Sequence, residues 1–205
     1  MRSLIVAAVL AMGLAGCASS APAPAEVLVP IAGWSRPLCS DTAVAVTSPW
    51  DGEVQEVFTE LLAAADPEVQ RRAPLAVVVH GDGLHLASVC GTSSRVTVLV
   101  STRLLRVAST WPTEQRRSML AATVAHELAH IALHENAANV PLDVKETEAE
   151  ALGVYYFERA GLDCRRWVAG LGTWFRAGSS PQHRATIRDA CEAAKRGERL
   201  PLPPR

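Results

Sequence analysis

The segment AHELAHIALHE, residues 125–135, places two histidines four positions apart within a long stretch of helical periodicity. The apolar residues that set this period are Met119, Leu120, Val124, Leu128, Ile131 and Ala132. Because residues i and i+4 lie one above the other on a helix, His126 and His130 can direct two imidazoles at one point. Imidazole nitrogen suits a borderline-soft cation such as zinc, so this helix face predicts two ligands of a metal site.

Glu127 lies one step round the same helix, where its carboxylate can reach a water on the metal. The H-E-x-x-H spacing is the motif of zinc peptidases, in which the glutamate acts as general base. The alternative is a structural protein in which the same residues form an ordinary helix face, and the sequence leaves that interpretation open.

A catalytic zinc usually has three protein ligands and one water. The extended H-E-x-x-H-x-x-G-x-x-H pattern is absent, because Leu133 stands at the glycine position and Asn136 at the last histidine position. His134 continues the series from His130, but one straight helix cannot wrap three such residues round one tetrahedral ion. The third ligand is therefore expected from another element.

The next predicted helix begins at Leu142 and carries Glu146 and Glu150, which share one face. One carboxylate can bind the metal while the other accepts a hydrogen bond from the ring of a metal-binding histidine. Ala149 and Gly153 are small and allow two helices to approach closely. The alternative is a solvated acidic face, although these glutamates lack a lysine or arginine four positions on.

These motifs resemble the M48 family of gluzincin metallopeptidases. The resemblance rests on HELAH and KETEAEA and extends roughly from Leu75 to Ala190. It implies a Zn²⁺ cofactor, with Glu150 orienting the ligands. The implied metal ligands are His126, His130 and Glu146, and the implied general base is Glu127. The short link between the two motifs also resembles the ImmA/IrrE-type zinc peptidases, which imply the same metal residues.

The chain departs from the M48 pattern in two residues besides that short link. Glu150 stands where the family usually has an aspartate, which lengthens the side chain by one methylene. Ser180 stands where a histidine is expected before Pro181. His183 lies nearby and is a candidate for the group beside the scissile carbonyl.

The N-terminus has the form of an export signal. Arg2 supplies a positive charge, and Leu4 to Leu14 is an apolar run too short to span a bilayer. Residues 14–17, LAGC, resemble the lipobox of bacterial lipoproteins, which implies cleavage before Cys17 and a lipid on its sulfur. Since Ala18 rather than aspartate follows, the resemblance favours the periplasmic face of the outer membrane if the organism is Gram-negative. An uncleaved short anchor or an ordinary signal peptide remains the alternative.

Four cysteines remain after Cys17, and an even number in an exported protein suggests two disulfides. We expect the pairs Cys39–Cys90 and Cys164–Cys191, each of which would join one end of the domain. Four free, buried thiols are the alternative.

The element pattern predicts an α+β fold: a mostly helical, zincin-like domain with a small N-terminal β-sheet packed on the helix that carries HELAH. Predicted strands are Leu75 to Val79, Leu84 to Ser88 and Arg95 to Val100, and helices are expected to start at Ser48-Pro49 and after a Thr113 cap. We divide the chain into a signal peptide (1–16), a lipidated tether (17–45), the domain (46–198) and a loose tail (199–205).

The sequence thus predicts a zinc-dependent metallopeptidase of the cell envelope, acting on peptides or unfolded protein. The alternative is a non-catalytic zinc-binding lipoprotein with a chaperone or assembly role. A net charge of −1 gives no indication of nucleic-acid binding. The sequence leaves the substrate and the oligomeric state open.

Overall fold

A small sheet and a set of helices make up the part of the chain described by the structure, a computed structural model. The described residues are 29–30, 46, 48–72, 75–79, 86–91, 96–133, 139–174 and 181–201. The strands are β1 Val29–Pro30, β2 Leu75–Val79, β3 Ala87–Gly91 and β4 Val96–Ser101. The helices are α1 Asp51–Ala64, α2 Pro67–Arg71, α3 Thr102–Ala108, α4 Thr113–Leu133, α5 Leu142–Arg159, α6 Cys164–Trp174 and α7 Pro181–Lys195. This confirms the predicted mostly helical α+β fold.

The sheet has the strand order β1-β3-β4-β2. β2 runs parallel to β4, whereas β3 is antiparallel to both β4 and β1. β3 lies three residues later than predicted, because its pairing with β4 places Val89 opposite Val98, and both are buried in the main core. The register of a strand follows its partner, which is why the local pattern misplaced this one.

One face of the sheet packs into the core that it shares with α1 and α4. The opposite face holds a smaller buried cluster around Val79, Cys90 and Leu99. β1 pairs with the outer edge of β3 and lies within the stretch predicted to be a tether. An edge strand is where a proline such as Pro30 is tolerated, since it has no N–H to donate.

Two predicted helix starts are wrong by one or two residues. α1 begins at Asp51 rather than Pro49, and the carboxylate of Asp51 accepts a hydrogen bond of 2.9 Å from the backbone N–H of Ser48. Ser48 Oγ accepts from the N–H of Trp50, so these residues form a turn ahead of the helix. Thr113 is the first residue of α4 and not its cap.

Helices α4 and α5 pack with their backbones in close approach at Gly153. A β-carbon built on this residue would lie 2.8 Å from Cη2 of Trp167, 3.1 Å from the backbone N of His126 and 3.2 Å from the carbonyl carbon of Ala125. The prediction that a small residue allows the two helices to approach is therefore confirmed.

Gly161 follows the end of α5. It has φ +80°, a conformation that glycine adopts without strain. The N–H of Gly161 donates to the carbonyl of Glu158, and the N–H of Leu162 donates to that of Phe157. These two bonds satisfy carbonyls that the end of the helix leaves without helical partners.

The predicted disulfide Cys164–Cys191 is present and joins α6 to α7. Cys90 is also disulfide-bonded, but its expected partner Cys39 lies outside the described residues, as do Cys17 and the predicted signal peptide. His134 is outside them too, as are residues 202–205 of the predicted tail. Among the helices that the structure describes, none combines the length and apolar character needed to cross a bilayer.

Candidate metal centre

The two histidines of the motif lie on the buried face of α4. His126 is 7% exposed and His130 is 3% exposed. Their Nε2 atoms are 2.9 Å apart, and the rings meet edge to face with an interplanar angle of 88°. One turn of helix separates them, so the helix itself brings both nitrogens to one point, as the i, i+4 spacing predicts.

Glu146 reaches the same point from α5. Its Oε2 lies 3.2 Å from Nε2 of His126, and its Oε1 lies 3.8 Å from Nε2 of His130. The side chain of Glu146 is 31% exposed, whereas the two imidazoles are buried. The structure thus brings the three predicted ligands together, with access to solvent on the side of Glu146.

These donors fit a zinc ion. Tetrahedral zinc with Zn–N distances of about 2.0–2.1 Å requires its donor atoms to be about 3.3 Å apart. The separations among Nε2 of His126, Nε2 of His130 and the Glu146 oxygens are 2.9, 3.2 and 3.8 Å, which bracket that value. Two imidazoles and one carboxylate are also a donor set of catalytic zinc, and the three residues form a group that can hold a metal ion.

Glu127 is buried beside these ligands, with 3% of its surface exposed. Burial alone would lower the pKa of His126, but the hydrogen bond with Glu146 opposes it. The negative charges of Glu127, Glu146 and Glu150 act in the same direction as that hydrogen bond, and the net effect is a raised pKa for His126. The negative potential that stabilises an imidazolium here also favours a bound cation.

Glu150 has a different partner from the one predicted. Its Oε2 accepts a 2.8 Å hydrogen bond from Nε2 of His183, rather than one from the ring of a metal-binding histidine. This bond raises the pKa of His183 against the opposing effect of partial burial. The difference arises because α7 packs against α5 and places His183 on the helix face that carries Glu150.

His183 also contacts α5 through its second ring nitrogen. Nδ1 lies 3.0 Å from Oγ1 of Thr147. Both ring nitrogens therefore have partners within the protein, so the predicted role beside a scissile carbonyl would require one of these bonds to break. This pairing could not be predicted from the local pattern, because it joins two residues 33 positions apart in the chain.

The acidic stretch of α5 is not a solvated face. Glu148 is 2% exposed and Glu150 is 6% exposed, and their neighbour Lys145 is buried as well. Burying a carboxylate is costly unless it is paired or binds a metal, so the alternative of an acidic helix surface is wrong.

No family model matches this chain and no curated protein matches it, so its function has to be inferred from the residues themselves.

Proposed function

We propose that this protein is a zinc-dependent peptidase. The observation that supports the proposal is the convergence of His126, His130 and Glu146 from two helices, with Glu127 buried beside them. A zinc ion held there supplies a Lewis acid that polarises a peptide carbonyl and lowers the pKa of a bound water to about 7.

Each residue of the site then has a distinct task. His126 and His130 are fixed by α4, whose buried face leaves their rings little freedom to turn away. Glu146 completes the ligand set from the partly exposed side, where an extended peptide can approach. Glu127 accepts a proton from the attacking water and passes it to the leaving amine, which is the role of a general base followed by a general acid.

The proposed location is the cell envelope. The lipobox-like residues ahead of Cys17 support a lipid anchor, which would hold the domain at a membrane surface. The disulfide between Cys164 and Cys191 supports an oxidising compartment, because such bonds are rare in the cytosol. Peptides or unfolded segments of exported proteins are the corresponding substrates.

Replacement of Glu127 tests the proposal. Glu127→Gln removes the general base but none of the three ligands, so the variant should retain one zinc per chain. Its kcat on an unfolded protein should fall by roughly 10²–10⁴-fold, the usual contribution of general acid–base catalysis. Glu114→Gln is the matched control, since Glu114 lies in the exposed first turn of the same helix.

Three results would count against the proposal. Absence of metal from purified wild-type protein removes its basis. One zinc per chain without cleavage of any peptide or unfolded protein favours the non-catalytic zinc-binding lipoprotein. Undiminished cleavage by Glu127→Gln shows that Glu127 is not the base.

A further inference from the structure

We propose that His183 is a positioning residue that holds the carboxylate of Glu150 away from the metal, and so keeps one coordination position free for substrate. This inference rests on the proposed function, because it concerns how the zinc site keeps three protein ligands. It follows from the hydrogen bonds that His183 makes with α5.

The hydrogen-bond donors can be assigned from the geometry. Thr147 Oγ1 donates its only proton to the carbonyl of Asp143, at 2.8 Å, and must therefore accept at Nδ1 of His183. At the other ring nitrogen, the Glu150 carboxylate can only accept. Both ring nitrogens consequently carry hydrogen, and His183 is an imidazolium in a charge-assisted bond with Glu150.

Glu150 is a potential competitor for the metal. It lies one helical turn after Glu146 on the same face of α5, so both carboxylates can approach a cation beside that face. The charge of Glu150 acts on His126, which places it near the centre. A fourth protein ligand would fill the position that a catalytic zinc leaves for water or substrate. The bond to His183 holds this carboxylate on the α7 side.

The fold does not depend on His183 alone to hold α7. Ile187, Ala190 and Cys191 on this helix are buried in the main core, and Cys191 is also bonded to Cys164 of α6. Replacement of His183 is therefore expected to leave a folded protein in which only the partners of Glu150 and Thr147 have changed.

The variant His183→Gln gives a result that a merely structural role would not. Replacement of the imidazolium by a neutral amide removes a positive charge near the cation and leaves at most a weaker, neutral hydrogen bond to Glu150. The Glu150 carboxylate can then turn to the cation, and both effects should tighten zinc binding. Outer partners tune metal affinity by roughly 10- to 100-fold, so we expect a change on that scale, together with lower activity. The Co²⁺-substituted protein should show the replacement of a water ligand by the Glu150 carboxylate as a change in its visible spectrum.

Two further variants complete the experiment. His183→Gln combined with Glu150→Gln removes the competing carboxylate, and should return the Co²⁺ spectrum, the zinc affinity and the cleavage rate towards wild type. Gln182→Ala, at the exposed preceding residue, is the control and should leave all three unchanged. Zinc affinity is measured by competition with a chelator, which does not require activity.

The outcomes separate this inference from the proposed function. Suppose that the wild-type protein binds zinc and cleaves its substrate. If His183→Gln then binds zinc no more tightly than wild type, or keeps the wild-type Co²⁺ spectrum, His183 does not hold Glu150 off the metal. The same conclusion follows if the double variant is no closer to wild type than His183→Gln in Co²⁺ spectrum, zinc affinity and cleavage rate. If wild type binds no zinc, the proposed function itself fails.

Discussion

The approach of α5 to the backbone of α4 at Gly153 allows a test of how the proposed metal ligands are brought together. Gly153→Ala adds a single β-carbon within 3.2 Å of two backbone atoms of α4, at His126 and Ala125, and within 2.8 Å of Cη2 of Trp167. The indole of Trp167 is fully buried, so it has no open space into which to move. The helices must separate by a few tenths of an ångström to admit the methyl group.

Two opposing effects determine the change in the free energy of unfolding. Alanine is favoured over glycine inside a helix by about 1 kcal/mol. Overpacking of a well-packed core costs about 1–3 kcal/mol, and the contact with rigid backbone places Gly153 towards the upper end. We therefore expect a net destabilisation of about 1–2 kcal/mol, which corresponds to a decrease in Tm of roughly 2–8 °C for a domain of this size.

The assay is thermal and chemical denaturation of the metal-free protein, followed by a zinc titration. Separation of α4 from α5 moves Glu146 relative to His126, so zinc affinity should fall together with stability. Gly52→Ala in α1 is the matched control, because a β-carbon there has nothing within 4 Å. It should be neutral or slightly stabilising. A Gly153→Ala protein as stable as Gly52→Ala, with unchanged zinc affinity, would refute the reasoning.

Two further predictions concern stability away from the proposed metal site. Burial, together with the 2.8 Å hydrogen bond to Asp66, raises the pKa of Tyr156, so the neutral phenol stabilises the fold below the ordinary tyrosine value of about 10. This contribution to the free energy of unfolding should be lost as the pH rises above that value, by up to about 1.4 kcal/mol per pH unit. In urea denaturation at pH 8 and at pH 11, Tyr156→Phe should therefore lose less stability between the two pH values than the wild type does. Equal losses for the two proteins would contradict the prediction. Replacing Cys164 and Cys191 by alanine opens a loop with a sequence separation of 27 residues, and should lower the free energy of unfolding by roughly 2–4 kcal/mol in the same assay. An unchanged denaturation midpoint would show that the disulfide contributes nothing.

The parts of the site that the sequence predicted are those encoded within one helix. His126 and His130 are one turn apart, so their convergence follows from helix geometry alone. Gly153 and Gly161 could likewise be interpreted from local chemistry, one as a close approach and the other as a helix end. The prediction of Glu146 also needed the second motif, KETEAEA, because the pattern within α4 does not indicate which other helix packs against it.

The features that the sequence misplaced depend on distant partners. β3 is displaced because its pairing with β4 sets the register, and the local apolar run does not. The partner of Glu150 could not be predicted, since His183 comes from a helix whose position depends on the packing of the whole domain. α1 begins at Asp51 rather than at Pro49. The side chains of Ser48 and Asp51, which would cap a helix that begins at Pro49, instead bond within the turn ahead of α1.

The buried charges where α4 meets α5 argue for the proposed site and against an ordinary helix face. Glu127 and Glu150 lie in the interior together with His126 and His130. A helix pair selected only for stability gains nothing from these residues, because apolar side chains of similar size in place of buried charged groups are often neutral or stabilising by about 1–4 kcal/mol. Burial lowers the pKa of His126, but the hydrogen bond with Glu146 and the charges of Glu127, Glu146 and Glu150 raise it overall. Opposing effects of burial and specific charge partners on a buried group tend to mark functional sites. The concentration of such groups where α4 meets α5 therefore supports the proposed metal site, in which a cation would offset their charge.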